Sequence, residues 1–225
     1  DILIVDNYTL NAEYETAARQ WARHIVALDD LADRAHDCDL LIDQTWKRRS
    51  DDYKTLVPFH TRILTGSQYA ILRPEFAQMR DDALKRRTGH IERILVSFGA
   101  TNIGGNLEKV MRALETVKSK SLMIDLVIGP AVELKPDLKK NLERLQQTPH
   151  NVKIHRYVEN MADLMRKADF AIGAGGMTSW ERCCLGLPTL MIEIADNQRT
   201  LAKNLSEAGA VINLGWHENV TPENM

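Results

Sequence analysis

The chain has 225 residues, of which 44% are hydrophobic and 27% charged, a balance typical of a globular protein and not of a disordered or fibrous one. Its 29 Lys and Arg against 31 Asp and Glu give a net charge of −2, which excludes a long-range positive field for nucleic acid or anionic membranes. The absence of a bilayer-length apolar run and of a signal-peptide pattern predicts a soluble, cytoplasmic protein without membrane insertion. Three Cys, two of them adjacent, exclude a disulfide framework, and we expect neither a metal nor a cofactor.

Short aliphatic runs alternate along the chain with longer amphipathic stretches. The runs are typical of buried parallel strands, and apolar residues at three- and four-residue spacing in the stretches predict helices. The predicted strands are Ile2–Val5, Ile25–Leu28, Leu40–Ile42, Ile63–Leu64, Ile94–Phe98, Met123–Ile128, Val152–Ile154, Phe170–Ile172, Thr189–Ile192 and Val211–Leu214. The predicted helices are Asn11–Trp21, Gly104–Lys118, Asp137–Gln147, Met161–Lys167, Thr178–Leu185 and Asn197–Ala208. This alternation predicts an α/β fold with mostly parallel sheets.

The stretch from Pro74 to Gly89 is charged and poor in branched aliphatic residues, and it separates two series of strands. We therefore place a domain boundary there, with domains at 1–75 and 90–225 and a linker at 76–89. The basic cluster Lys85–Arg87 is interpreted as a solvated helix face or part of the linker. Because the sequence begins at Asp1, without Met and directly before a predicted strand, and ends just after the helix-start pattern Thr221-Pro222, we interpret the chain as a fragment.

Polar residues and glycines follow five of the predicted strands. Ligands of parallel sheets bind outside the carboxyl ends of the strands, so these residues predict a site at one edge of a sheet. They are Asp6–Tyr8, Asp29–Asp30, Gly99–Asn102, Gly173–Ser179 and Ala195–Gln198.

The Gly173–Ser179 loop has two interpretations. Glycines allow close approach of a ligand, and the start of a helix near Thr178 would direct free N–H groups at a pyrophosphate. Alternatively, the loop is a tight turn in which Thr178 or Ser179 caps the helix. Glu181, predicted in the first turn of that helix, either complements the helix dipole or accepts hydrogen bonds from both hydroxyls of a ribose.

The other strand ends are less specific. Asn197 and Gln198 could bind sugar hydroxyl or acetamido groups, or simply follow a helix cap at Asp196. A plain turn is favoured for Gly99–Asn102, and a turn with a cap for Asp29–Asp30. Tyr8 could orient a substrate or a water molecule. None of the seven histidines has a spacing that assigns it a role.

Five separated segments together resemble the UDP-sugar hydrolase family of pseudaminic acid biosynthesis, the PseG type, over nearly the whole chain. The segments are Asp6–Tyr8; Asp29–Arg34 with His36 and Cys38–Leu41; Tyr69–Phe76; Gly173–Gly176 with Thr178–Arg182; and Gly186–Thr189 with Asn197 and Gln198. The second half alone is also similar to the nucleotide-binding domain of MurG-type glycosyltransferases.

The resemblance implies an α/β enzyme of GT-B architecture with two Rossmann-like domains, a UDP-binding C-terminal domain and an incomplete N-terminal domain on the sugar side. The implied reaction hydrolyses UDP-2,4-diacetamido-2,4,6-trideoxy-β-L-altropyranose to UDP and free sugar in the interdomain cleft, without a metal. The implied UDP-binding residues are Gly175, Gly176, Thr178 and Ser179 for the diphosphate, Glu181 for the ribose, and the backbone near Tyr157 and Val158 for uracil. Asn197 and Gln198 would bind the sugar, and Tyr8 and Asn197 are the implied catalytic residues.

Two departures from the family pattern stand out. The family's water-activating histidine lies in a Gly-x-Gly-His loop, a motif that this sequence lacks, so we expect UDP binding with weak or absent turnover. Ala100 stands where the family tends to have glycine. Two alternatives remain: a MurG-like UDP-N-acetylhexosamine glycosyltransferase, and a non-catalytic fragment that binds nucleotide sugars.

Overall fold

A computed structural model describes residues 1–118 and 120–225 and divides the chain into two compact α/β units, 1–71 and 72–225. The first unit contains a parallel four-stranded sheet in the order β1-β2-β3-β4, formed by Ile2–Val5, His24–Leu28, Leu40–Asp43 and Arg62–Thr65. Helix α1, Ala12–Ala18, begins after Asn11, whose side chain accepts a hydrogen bond from the Glu13 N–H. The core of the first unit includes the fully buried Ile25 and Leu41.

The second unit contains a parallel six-stranded sheet in the order β10-β9-β8-β5-β6-β7. Its strands are β5 Arg93–Ser97, β6 Met123–Val127, β7 Asn151–His155, β8 Phe170–Ala174, β9 Thr189–Glu193 and β10 Ile212–Trp216. Its helices are α2 Pro74–Lys85, α3 Asn106–Glu115, α4 Pro136–Gln146, α5 Met161–Lys167, α6 Met177–Cys184 and α7 Gln198–Glu207.

Alternating residues of the central strands fill two cores on opposite faces of this sheet. Ile94 and Val96 of β5 pack in one core, which includes α3 and α4 residues, whereas Leu95 packs in the other, with residues of α2 and α5. Both faces of the sheet are therefore covered, as expected for parallel strands with near-continuous aliphatic runs.

The direction in which the chain winds across the sheet reverses between the parallel neighbours β5 and β8. From β5 the chain winds outward through β6 and β7, and it then returns to the other side of β5 for β8, β9 and β10. At such a reversal the loops after the two strands leave toward opposite sides, and in open α/β sheets the crevice that binds ligands lies at the carboxyl ends of these strands. Here Gly173 pairs with Ser97, and a Cβ on Gly173 would lie 2.2 Å from the Ser97 carbonyl oxygen.

The predicted α/β fold and parallel sheets are confirmed, and each predicted strand and helix overlaps an observed one. The linker prediction is revised, because most of 76–89 belongs to α2 of the second unit. Pro74 occupies the start of this helix, and Phe76 and Ala83 are fully buried beneath its charged surface. The few apolar residues of this stretch lie among many charged ones, so the sequence pattern did not predict a helix here.

The interpretation of Arg87 as a solvated residue is wrong. Its partly buried guanidinium donates to carbonyl oxygens near the C-termini of α5 and α6, namely those of Met165, Ala168, Leu185 and Gly186. Carbonyl groups in the last turn of a helix lack partners within the helix, so Arg87 satisfies several of them at once.

Candidate functional site

The loop between β8 and α6 is shorter than the sequence suggests. Gly173 and Ala174 end the strand, only Gly175 and Gly176 connect, and α6 starts at Met177. Gly176 is the N-cap residue with a φ of 96°, a conformation that strains any residue with a Cβ. The first turn of α6 thus begins directly at the crevice between β5 and β8.

The second interpretation of the loop, in which Thr178 or Ser179 caps the helix, is wrong. Both lie within the first turn, where the Ser179 N–H donates to the Gly176 carbonyl oxygen at 2.9 Å, and no side chain makes the N-cap hydrogen bond. The N-terminus of α6 carries the positive end of the helix dipole, so this arrangement suits an anionic ligand.

Arg182 lies behind the loop and was missed from the sequence. Its side chain is buried, with a residue exposure of 4%, and it donates to the carbonyl oxygens of Ala174 and, at 3.1 Å, Thr178. Burial lowers the pKa of this guanidinium to about 10, so the group is charged at neutral pH.

Glu181 lies in the second turn of α6 rather than in the first, where it was predicted. Its side chain is 17% exposed, and burial raises the pKa of the carboxyl group. The guanidinium of Arg73 opposes that increase: Arg73 Nη2 lies 4.0 Å from Glu181 Oε1. No sequence pattern connects Arg73, at the start of α2, with this carboxylate.

Gln198 lies against the glycine loop. A Cβ on Gly175 would stand 3.2 Å from the Gln198 Cβ, and the Gln198 Oε1 accepts from the Ile194 N–H at 3.1 Å. Asn197 is the N-cap residue of α7, a position predicted for Asp196, which instead pairs with Arg199 at 3.0 Å. The structure thus brings Gln198 and the glycine loop together, as the predicted site requires.

The loop after β5 behaves as a turn that secures the following helix. Asn102 Oδ1 accepts from the Leu107 N–H at 3.0 Å, and its Nδ2 donates to Glu108 Oε2 at 2.6 Å. The backbone of Gly99 and Ala100 is closely approached by Gly129, where a Cβ would lie 2.4 Å from the Gly99 carbonyl oxygen.

The predicted uracil contacts are placed apart from the loop. Tyr157 and Val158 follow β7, which is three strand spacings from β8, about 14 Å. The Tyr157 residue is 81% exposed.

In the first unit, Tyr8 contacts Asp30. The Tyr8 hydroxyl donates to Asp30 Oδ2 at 3.1 Å, while the Tyr8 residue is 52% exposed. Burial raises the pKa of Asp30, and its Oδ1 is buried without a hydrogen-bond partner among the described residues. This pair can therefore hold or exchange a proton.

Asp29 caps a bend, as its prediction as a turn with a cap required, although no helix follows: its Oδ2 accepts from the Ala32 N–H at 2.8 Å. Asp29 is buried, bonded to Arg34 Nη1 at 2.6 Å and to the Tyr53 hydroxyl at 2.7 Å. Burial opposes ionisation, but the hydrogen bonds from Tyr53 and the Ala32 N–H, together with Arg34, hold the pKa of Asp29 below its usual range. The Tyr53 oxygen also lies 2.8 Å from Asp43 Oδ2, so residues distant in sequence form one buried polar cluster.

A cavity and two absences also characterise the described residues. A cavity of about 730 Å³ opens at the N-terminal ends of β5, β8, β9 and β10, opposite to the edge where parallel sheets bind ligands. No group of three His, Cys, Asp or Glu side chains in the described ranges could hold a metal ion. No helix there has the length and apolar character needed to cross a membrane.

Two curated proteins are similar to this chain in sequence. The spore coat polysaccharide biosynthesis protein SpsG of Bacillus subtilis is 31% identical over 175 residues, covering 76% of this chain and 49% of SpsG. The UDP-2,4-diacetamido-2,4,6-trideoxy-beta-L-altropyranose hydrolase of Campylobacter jejuni is 27% identical over 210 residues, covering 93% of this chain and 72% of the hydrolase. The chain thus spans about half the length of SpsG and nearly three quarters of the hydrolase.

The crystal structure of MurG from Acinetobacter baumannii superposes with a TM-score of 0.65 at 16% identity, covering 99% of this chain and 62% of MurG. At that identity the likeness shows the fold, and it confirms the predicted pair of Rossmann-like units with GT-B relatives. Residues 97–225 match the glycosyltransferase family 28 C-terminal domain. Because this match includes the glycine loop, Glu181 and Gln198 and extends over more than half of the sequence, the chain belongs to glycosyltransferase family 28 by its C-terminal domain.

Proposed function

We propose that the second unit binds the UDP portion of a nucleotide sugar at the crevice after β5 and β8. The observation that carries this proposal is the meeting of three features at one strand end. These are the short Gly175-Gly176 connection, the N-terminus of α6 and a half-buried carboxylate, Glu181, in the same helix. Helix N–H groups suit phosphate oxygens, and a carboxylate suits the paired hydroxyls of a ribose.

In this proposal the residues of the site have separate roles. Gly175, Gly176, Thr178 and Ser179 hold the diphosphate, and Glu181 accepts from the ribose hydroxyls with Arg73 favouring its ionised form. Asn197 and Gln198 bind the sugar through their amide groups. Uracil would meet the backbone near Tyr157 and Val158.

We propose further that the reaction is hydrolysis of a UDP-linked diacetamido-trideoxy sugar, as the name of the C. jejuni relative states for that protein. We expect a low rate, because the sequence lacks the Gly-x-Gly-His motif. Water forms a new bond to the anomeric carbon, the bond to the diphosphate oxygen breaks, and UDP leaves. N–H groups already directed at the diphosphate would stabilise the charge that develops on the leaving group. Tyr8 is assigned to orient the water, and its hydrogen bond to Asp30 provides a path for the released proton.

The test is an assay of UDP release from that sugar nucleotide in the absence of any acceptor. Wild-type release that falls by about 10-fold or more in Tyr8→Phe supports the assigned role, since general acid–base groups contribute at least that much. The matched control is Tyr14→Phe, which changes another exposed tyrosine of the first unit. Equal rates in both variants would remove Tyr8 from the mechanism.

A MurG-like glycosyltransferase is the second candidate, favoured by the superposition with MurG over 99% of this chain. The two reactions share the nucleotide site and differ in whether water or a sugar hydroxyl attacks. UDP release that requires an added acceptor would favour transfer. UDP binding without release under either condition would favour a non-catalytic nucleotide-sugar-binding protein.

A further inference from the structure

Arg182 is a buried cation that forms no direct ion pair with any residue in the ranges 1–118 and 120–225. The carboxylate of Glu181 attracts the charge of Arg182 without pairing with it, and it lies 4.0 Å from Arg73 Nη2 instead. An isolated charge in a protein interior is strongly unfavourable unless something compensates it. The neutral carbonyl groups of Ala174 and Thr178 supply hydrogen bonds but no negative charge.

Neighbouring residues hold the Arg182 guanidinium next to the glycine loop. A Cβ on Gly173 would stand 2.9 Å from Arg182 Nη1, so the absence of a side chain there makes room for the guanidinium. Its Nη2 lies 3.5 Å from both Thr178 Oγ1 and Ser179 Oγ. Arg182 is therefore adjacent to the side chains assigned to the diphosphate.

We propose that Arg182 is a positioning residue whose counter-ion is the diphosphate of the bound nucleotide, held on the opposite side of the Gly175–Ser179 segment. This inference rests on the proposed function and adds the source of its electrostatic attraction. The charge acts through a medium of low polarity, where it is felt more strongly than at a surface. The diphosphate would add negative charge on this side of Arg182, in addition to the attraction from Glu181.

The experiment compares calorimetric affinities for UDP, UMP and uridine in wild type, Arg182→Met and Arg182→Lys. Arg182→Met should weaken UDP binding by about 10- to 100-fold, UMP binding less, and uridine binding little, because attraction scales with ligand charge. Arg182→Lys should retain most of the UDP affinity. The difference in UDP affinity between wild type and Arg182→Met should persist in about 0.5 M salt, since a buried charge is poorly screened.

Arg144→Met is the matched control, since it removes a positive charge from an exposed residue of α4 paired with Glu115. It should leave all three affinities unchanged. Loss of uridine and UDP affinity by the same factor in Arg182→Met would show a purely structural role and overturn the inference. An unchanged UDP affinity would overturn it equally.

A second measurement covers the case in which Arg182→Met fails to fold. In wild-type protein, UDP should shift the Nε–Hε NMR signal of Arg182, identified by its loss in Arg182→Lys, and uridine should not. A signal that UDP leaves in place would contradict the inference. Failure of wild type to bind UDP at all would instead overturn the proposed function itself.

Discussion

Arg73 Nη2 lies 4.0 Å from Glu181 Oε1, which joins the start of α2 to the second turn of α6. Arg73 is also held by Glu75, at 3.1 Å from its Nη1. Burial raises the pKa of Glu181, and the charges of Arg73 and Arg182 oppose that shift. We therefore expect UDP affinity to depend on the ionisation of Glu181.

UDP affinity should fall as pH is lowered through the raised pKa of Glu181. The carboxylate accepts hydrogen bonds from both ribose hydroxyls, and protonation removes that capacity, so binding is strong above the pKa and weak below it. The loss should be about 10- to 100-fold, the range for hydrogen bonds to a charged group. Calorimetric titrations across this pH range, with folding checked at each pH, measure it.

Glu181→Gln should bind UDP weakly and without this acid dependence. Glu143→Gln, an exposed change in α4, should keep the wild-type profile. An acid dependence that survives in Glu181→Gln would assign it to another group.

Gly176→Ala should weaken UDP binding by about 10-fold or more, because a Cβ strains the backbone that directs the first turn of α6 at the diphosphate. The control is Gly209→Ala, where φ is 71° and a Cβ would meet no atom within 4 Å. Both changes should destabilise folding by about 1 kcal/mol or somewhat more. Thermal unfolding and UDP titration of both variants separate the two effects, and equal UDP affinities would contradict a role for the loop.

Arg87→Ala should lower the free energy of unfolding by about 2–4 kcal/mol, because it leaves several carbonyl oxygens at the ends of α5 and α6 without their charged donor. The neighbouring Arg86 is exposed, so Arg86→Ala should change stability by less than about 0.5 kcal/mol. Urea unfolding followed by circular dichroism gives both values. Similar midpoints for the two variants would show that the carbonyl groups find other partners.

Stability should decrease in acid partly through Asp125 of β6. This buried carboxylate contacts Arg93 Nε at 2.5 Å and His155 Nε2 at 2.7 Å; burial opposes ionisation, but these partners hold its pKa below the usual range. A lowered folded-state pKa means that the stabilisation is complete above the unfolded-state value, about 4, and is lost as pH falls through the folded-state value.

Asp125→Asn should therefore lower stability by about 3–5 kcal/mol at neutral pH and flatten the acid dependence. The exposed Asp81→Asn should do neither. Urea unfolding at a series of pH values tests this, and a variant as acid-sensitive as wild type would exclude Asp125 as a cause.

The elements of the fold were predictable because periodicity is a local property. Aliphatic runs predicted every strand, including the isolated pair Ile63–Leu64 inside β4, Arg62–Thr65. Helix α2 was missed because only a few buried residues, such as Phe76 and Ala83, lie among many charges. Its burial depends on the α5 side of the sheet, which no window of the sequence contains.

The glycine loop, Glu181 and Gln198 could be singled out because each follows a strand. The positions of Arg73, Arg182 and Tyr53 could not, since their roles depend on partners contributed by other elements. Arg182 is the clearest case: its burial depends on Gly173, whose missing side chain leaves room for the guanidinium. A charged residue in sequence carries no sign that the fold will enclose it.

Calorimetric titration of the chain with UDP, with Glu181→Ala beside it, tests the central claim most directly. We predict that wild type binds UDP and that Glu181→Ala, folded to the same extent, binds at least about 10-fold more weakly. The absence of wild-type binding, or equal affinity in the variant, would contradict a nucleotide site at the N-terminus of α6.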